Sequence, residues 1–170
     1  MSTSNVATFT APGMKNESAE QAIAVLQQRL VALLDLQLTL KHIHWNVVGP
    51  NFIGVHEMLD PQVDGVRDMT DTIAERIATL GGVPEGTPQA IVSKRTWDDY
   101  KLGKDLVMNH LAALDKVYNG VNSDHRAAIE KLEDLDAVSE DMVTGQLADL
   151  EQYQWFVRAH LESANGDLSQ

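Results

Sequence analysis

The stretch from His56 to Glu75 constrains the fold most, because its two faces have opposite character. At about 100° per residue, a helix through this region has one apolar face and one face of ionisable side chains. The apolar positions are Val55, Leu59, Val63, Val66, Ile73, Ile77 and Leu80. The ionisable positions are His56, Asp60, Asp64, Arg67, Asp71 and Glu75. The pattern predicts a long helix that is buried on one side and presents metal-ligand side chains on the other.

The spacing of these ligands predicts a site shared between two chains. His56 with Asp60, and Asp71 with Glu75, are i, i+4 pairs that can each direct two ligating atoms at one point. Asp60 and Asp71 lie about 16 Å apart along a helix, too far to share one ion. The four positions are symmetric about a point next to Gly65, so an antiparallel second copy would join the two halves twice. We expect two identical metal sites at a dimer interface, with Gly65 near the two-fold axis.

The alternative is a solvated helix face, which is the usual role of a run of Asp and Glu. His56 favours the metal site, because it alone among the six histidines has a carboxylate three or four residues away. The chain has no cysteine, so any metal must be held by imidazole and carboxylate groups. Such ligands favour iron, manganese or zinc over calcium or magnesium.

Composition predicts one globular domain and excludes several partners. The chain has 170 residues, of which 44% are hydrophobic, and a formal net charge of -12. An acidic surface repels nucleic-acid phosphates and attracts cations. The N-terminus lacks a basic segment followed by an apolar one, and no uncharged apolar run is long enough to span a bilayer. We therefore expect a cytoplasmic protein with no membrane partner.

The rest of the chain predicts an all-α four-helix bundle. Residues 1–17 are expected to form a flexible arm, 18–164 the bundle and 165–170 a short tail. The bundle helices are predicted at about 18–46, 52–80, 102–132 and 137–164, with Asp136 as the N-cap of the last. Pro61 lies inside the second helix, which we keep as one bent helix. Residues 83–101 form a long crossover, in which Thr87 and Pro88 start a short extra helix.

Three segments closely resemble the Dps family, the mini-ferritins. They are KHIHWNVVGPNFIGVHEMLD at 41–60, DTIAERIATLGG at 71–82 and QWFVRAHLE at 154–162. The resemblance covers about residues 19–163 and implies a ferritin-like bundle. It also implies a dodecameric shell, built from two-fold dimers, that oxidises ferrous iron, usually with hydrogen peroxide, and stores ferric mineral. The absence of any Glu-x-x-His argues against the di-iron centre found inside classical ferritin bundles.

The resemblance also implies which residues form the ferroxidase site. The ligands would be His44, His56 and Asp60 of one subunit and Asp71 and Glu75 of its two-fold mate. Apart from His44, this is the pairing that helical spacing suggests. In the family a tryptophan at the position of Trp45 intercepts stray oxidising equivalents, although packing of the dimer interface explains it equally well.

Other polar residues have weaker assignments. An acidic run lies between residues 130 and 141, and composition alone indicates a solvated helix face there. It consists of Glu130, Glu133, Asp134, Asp136, Glu140 and Asp141. In the family this region lines three-fold pores for iron entry, which makes Asp136 and Asp141 candidate pore residues. We expect structural or solvent-exposed positions for His110, His125 and His160, and no more than a supporting role for His42.

Two other functions remain open. Family members that condense DNA use basic tails, whereas here the only basic residue before Gln21 is Lys15, and none follows Arg158. We therefore expect weak or absent DNA binding, which disfavours a DNA-compacting shell protein. A metal-dependent amide or ester hydrolase is the second alternative, since zinc or manganese held by these ligands could activate water.

Overall fold

The computed structural model describes residues 11–164 and contains five helices and a two-stranded parallel sheet in that range. α1 packs chiefly against α2, and α4 against α5, which gives the predicted all-α four-helix bundle. The tail and most of the arm lie outside the described residues. The elements are α1 (Asn16–Asn46), β1 (Val47–Val48), α2 (Phe52–Thr79), α3 (Pro88–Lys94), β2 (Asp105–Leu106), α4 (Val107–Leu132) and α5 (Ala137–Ala164).

The core forms where the apolar face of α2 meets the other helices. All seven predicted apolar positions are buried: Val55, Leu59, Val63, Val66, Ile73, Ile77 and Leu80. α1 is buried on more than one face, as its widened apolar pattern predicts. Within the described residues, α1 is also the one helix whose length and composition would allow it to cross a membrane, but most of that stretch is buried in the bundle.

Pro61 does not divide α2. The helix runs unbroken past it, as predicted, and the buried positions keep their helical spacing on both sides. Proline removes one backbone hydrogen bond but leaves the packing of the apolar face intact. The two ligand pairs of α2 therefore lie on one continuous helix.

The crossover differs from its prediction near α4. Thr87 caps α3 as expected, because its Oγ1 accepts a hydrogen bond from the Ala90 amide at 3.3 Å. However, α4 begins at Val107 and not at residue 102. Residues 105 and 106 instead pair in parallel with Val47 and Val48. This pairing with the α1–α2 turn keeps residues 105 and 106 extended. The helical periodicity of the sequence therefore does not produce a helix there.

Two histidines anchor the crossover to the bundle. His42 Nε2 donates to the Leu102 carbonyl at 2.7 Å. The Tyr100 hydroxyl lies 2.8 Å from Nδ1 of the buried His110. Both histidines thus have structural roles, and His42 holds the crossover where we expected at most support for the metal site.

α5 begins at the predicted cap. Asp136 Oδ2 accepts from the Ser139 amide at 3.2 Å, and the Asp136 carbonyl accepts from the Glu140 amide at 3.0 Å. Arg76, near the end of α2, donates to the same carboxylate oxygen at 2.6 Å. Burial raises the pKa of Asp136, but its hydrogen bonds with Ser139 and Arg76 outweigh this and leave the pKa below its usual value.

Gly65 is required by a contact inside the subunit. A Cβ atom built at this position would fall well inside van der Waals contact of the Tyr153 hydroxyl on α5. The missing side chain therefore faces the bundle, so packing between α2 and α5 of one chain already requires glycine here. The position of Gly65 near a two-fold axis stays a prediction.

Gly65→Ala is expected to destabilise the protein despite the better helix propensity of alanine. Overpacking typically costs ~1–3 kcal/mol, whereas Ala gains up to ~1 kcal/mol over Gly in a helix. We expect a net loss of about 1–2 kcal/mol, measured as a shift in urea unfolding. In a Tyr153→Phe background, which lacks the clashing hydroxyl, the same substitution should cost less than half as much. An equal cost in both backgrounds would contradict this packing.

His125 is expected to make stability depend on pH. His125 is fully buried on α4, and its Nδ1 lies 3.4 Å from Arg29 Nη1. Arg29 also forms an ion pair with Asp124. Burial, and then the charge of Arg29, lower the pKa of His125 from 6.5 to about 4. Between pH 6.5 and pH 4, His125 is protonated in the unfolded chain but stays neutral in the folded protein. The free energy of unfolding therefore decreases as pH falls from 6.5 towards 4. The loss is on the order of 3 kcal/mol.

His125→Gln should remove that part of the pH dependence, measured by urea unfolding at intervals between pH 7 and pH 4. His160→Gln is a matched control. Nδ1 of His125 lies 3.0 Å from the Val121 carbonyl, four residues earlier, and Nδ1 of the half-buried His160 donates in the same way to the Phe156 carbonyl at 2.8 Å. A wild-type slope in His125→Gln would show that other groups carry the effect.

Candidate metal centre

His44 and His56 are brought together by the turn between α1 and α2. The chain reverses within residues 47–51, where Gly49 and Asn51 take positive φ values of 99° and 63°. The two imidazole rings stack with centroids 3.6 Å apart and an interplanar angle of 23°. Residues twelve apart in sequence thus form one face-to-face pair at the end of the bundle.

The hydrogen bonds of this pair determine which nitrogen is available. Nδ1 of His44 donates to the His56 carbonyl at 2.9 Å, and Nδ1 of His56 donates to the His44 carbonyl at 2.9 Å. A carbonyl oxygen only accepts, so each Nδ1 carries a proton, and the tautomer that this fixes is the one with its lone pair on Nε2. Metal-binding histidines are commonly fixed in this way by a backbone acceptor. The pair therefore fits a metal with two imidazole ligands.

Asp60 adds a carboxylate to the histidine pair. Its Oδ1 lies 3.2 Å from His44 Nδ1 and accepts a hydrogen bond from Lys41 Nζ at 2.9 Å. The hydrogen bond from Lys41 is the main cause that holds the pKa of Asp60 below its usual value. Sequence reasoning missed Lys41, although its position three residues before His44 places both on neighbouring parts of one helix face.

Asp71 and Glu75 lie on the same helix but away from the histidine pair. Both are exposed, and Asp71 lines an open groove of about 620 Å³ with Arg67 and Leu34. Within the described part of the chain, no three histidine or carboxylate side chains form a metal-binding cluster. One chain therefore does not assemble the five predicted ligands: His44 contacts His56 and Asp60 without forming a closed cluster, whereas Asp71 and Glu75 lie further along α2.

Apolar side chains are exposed on the same side of the subunit. Leu38 and Trp45 of α1 are 62% and 71% exposed and lie two helical turns apart, on the side that carries Lys41. Lys41 Nζ is 5.8 Å from the centroid of the Trp45 ring. We call this surface the α1–α2 face, and it consists of Leu34, Leu38, Lys41, Trp45, Asp60, Arg67 and Asp71.

The bundle interior offers no comparable site. No aspartate or glutamate is among the buried polar residues of the part of the chain that the structure describes. The buried Arg29 makes some of the interior polar contacts, and others join neutral groups, such as the Tyr118 hydroxyl donating to Gln62 Oε1 at 2.7 Å. The anionic ligands that iron requires are therefore found on the surface.

The two candidate pore residues have different environments. The Asp136 carboxylate caps α5 and forms an ion pair with Arg76, and its side chain is only 9% exposed. Asp141, one turn into α5, is exposed. Of the two carboxylates, Asp141 is the one free to face a passage for cations.

Known proteins resemble this chain over most of its length. A family model of the ferritin-like domain matches residues 23–166. The chain is 61% identical over 161 residues to the DNA protection during starvation protein of Mycolicibacterium smegmatis, covering 95% of this chain and 88% of that protein. It is 46% identical over 162 residues to the fine tangled pili major subunit of Haemophilus ducreyi, covering 95% and 86%.

The fold is similar to that of a solved structure. The tetragonal form of Mycobacterium smegmatis Dps matches with a TM-score of 0.92 and 60% identity, over 96% of this chain and all (100%) of that one. These matches support a role in iron storage and DNA protection during starvation. Because sequence and fold agree over nearly the whole chain, the protein belongs to the Dps family of ferritin-like proteins.

Proposed function

We propose that this protein is a cytoplasmic ferroxidase that oxidises Fe(II) with hydrogen peroxide and stores the ferric product inside a dodecameric shell. The observation that carries the proposal is the stacked His44–His56 pair. Both rings have Nδ1 bound to a backbone carbonyl and Nε2 free. The carboxylate of Asp60 contacts His44 at Nδ1. Iron is the substrate of this site, and two imidazoles with a carboxylate suit Fe(II).

The site is completed by a second subunit. Asp71 and Glu75 lie on the same helix as His56 and Asp60, but about 16 Å further along it. A two-fold axis across α2 places these carboxylates of one subunit opposite the histidine pair of the other. The exposed Leu38 and Trp45 support the arrangement, because an uncovered apolar surface of this kind is typical of an interface.

The ligand set assists oxidation through its charge. Three carboxylates around two imidazoles favour Fe(III) over Fe(II), because hard anionic oxygen ligands stabilise the higher charge. Two ferrous ions held side by side supply the two electrons that convert hydrogen peroxide, with two protons, to two waters. No hydroxyl radical is released in that reaction. In this proposal Trp45, which is exposed and follows His44 in the sequence, intercepts single oxidising equivalents that escape.

The shared site is tested by mixing two defective subunits. His56→Ala/Asp60→Ala removes one half of every site, and Asp71→Ala/Glu75→Ala removes the other half. Each double variant alone should oxidise Fe(II) no faster than buffer. In a mixed dimer one site receives both damaged halves and the other receives both intact halves. Random co-assembly should therefore restore about a quarter of the wild-type rate, because about half of the dimers are mixed and each has one intact site.

The measurement is ferric absorbance after anaerobic Fe(II) loading and peroxide addition, followed by gel filtration. Glu57→Ala is the matched control, since it removes an exposed carboxylate of α2 outside the ligand set. Co-assembled variants that stay inactive would exclude the shared site. A wild-type shell that oxidises iron no faster than buffer would overturn the ferroxidase proposal and favour another metal or a hydrolytic reaction.

DNA compaction is the second candidate function. The name of the Mycolicibacterium smegmatis relative, DNA protection during starvation protein, favours it. The charge of this chain opposes it, with 25 acidic against 13 basic side chains and no basic residue after Arg158. Protein–DNA affinity depends largely on phosphate neutralisation by Lys and Arg. We therefore propose that DNA protection here acts through iron removal.

We expect no retardation of plasmid DNA in a gel at neutral pH and about 0.15 M salt, a concentration that screens weak phosphate contacts. A variant with four lysines appended after Gln170 is the positive control and should retard the plasmid. Retardation by the wild-type shell under the same conditions would show that it binds DNA directly.

A further inference from the structure

Lys41 contacts the candidate ligand Asp60 directly. It lies on α1, close to one turn before His44, and its Nζ is 2.9 Å from Asp60 Oδ1. The His44 Nδ1 contact, at 3.2 Å, falls on the same oxygen. The side chains of Lys41 and Asp60 are 30% and 51% exposed, so the pair lies at the surface of the α1–α2 face.

This contact opposes metal binding. An ammonium group on a carboxylate oxygen occupies a position that a metal ion would take, and it repels a cation bound nearby. Lysine can leave that position at low cost, because its charge is on a flexible four-carbon stem with freely rotating donors. The Trp45 ring, 5.8 Å from Nζ, offers a second favourable surface for the ammonium group.

We propose that Lys41 is a built-in competitor of the metal: it occupies Asp60 in the empty site and is displaced when the metal binds. The inference rests on the proposed function of the same site. Lys41 keeps Asp60 ionised and in place beside the histidine pair before the metal arrives. It also lowers the affinity of the site, so that only a metal that gains the free imidazole nitrogens displaces it effectively.

The test uses Zn²⁺, which binds similar ligands without redox chemistry, and isothermal titration calorimetry of the assembled protein. Lys41→Met keeps the length of the side chain but removes its charge, and should tighten Zn²⁺ binding by up to about fivefold, the scale expected from an exposed ion pair. Lys41→Gln should act in the same direction. Lys41→Arg keeps the charge and should leave affinity within about twofold of wild type.

Lys104→Met is the matched control, because it removes a lysine charge from the exposed crossover and should leave Zn²⁺ affinity unchanged. Thermal unfolding of all variants should be nearly the same, which separates competition from a structural effect. Equal affinities for Lys41→Met and Lys104→Met would overturn the inference. If Asp60→Ala does not weaken Zn²⁺ binding, the proposed site itself fails; if it does, only the role of Lys41 is in question.

Discussion

The reciprocal hydrogen bonds between His44 and His56 are the constraint on which the candidate site depends. Each ring binds the carbonyl of the other residue, so the end of α1 and the start of α2 are held in one register. The positive φ values at Gly49 and Asn51 make the reversal possible, and β2 pairs with β1 against the same turn. Because both Nδ1 atoms are used internally, the metal-binding nitrogens are oriented by the fold before any metal arrives.

Features that depend on local sequence were predictable. The apolar face of α2 was assigned correctly throughout, because helical periodicity and burial are two consequences of one geometry. The caps Thr87 and Asp136 were also correct, since an N-cap bond joins residues two or three apart. The spacing on α2 placed four ligands on one face, but it could not place His44. That residue entered through family resemblance alone.

Features that depend on contacts between distant segments were not predictable from spacing. The start of α4 is set by pairing with Val47 and Val48, far back in the chain. The packing of Gly65 against Tyr153 on another helix was also out of reach of a symmetry argument confined to α2. For Lys41, the sequence predicts the helix face on which it lies. Its hydrogen bond to Asp60 could not be predicted, because it depends on how α1 packs on α2.

The distribution of polar groups explains why assembly and chemistry belong together in this protein. Among the residues that the structure describes, buried pairs such as Gln62 with Tyr118, and Asn122 with Gln154, are neutral and bind each other, and no aspartate or glutamate is buried to offer a cation an anionic ligand. The carboxylates lie on the α1–α2 face, where water weakens their attraction for a metal. Covering that face with a second subunit would bury Leu38 and Trp45 and enclose the carboxylates in the same step. The hydrophobic surface that would drive this association would therefore also strengthen the proposed metal site.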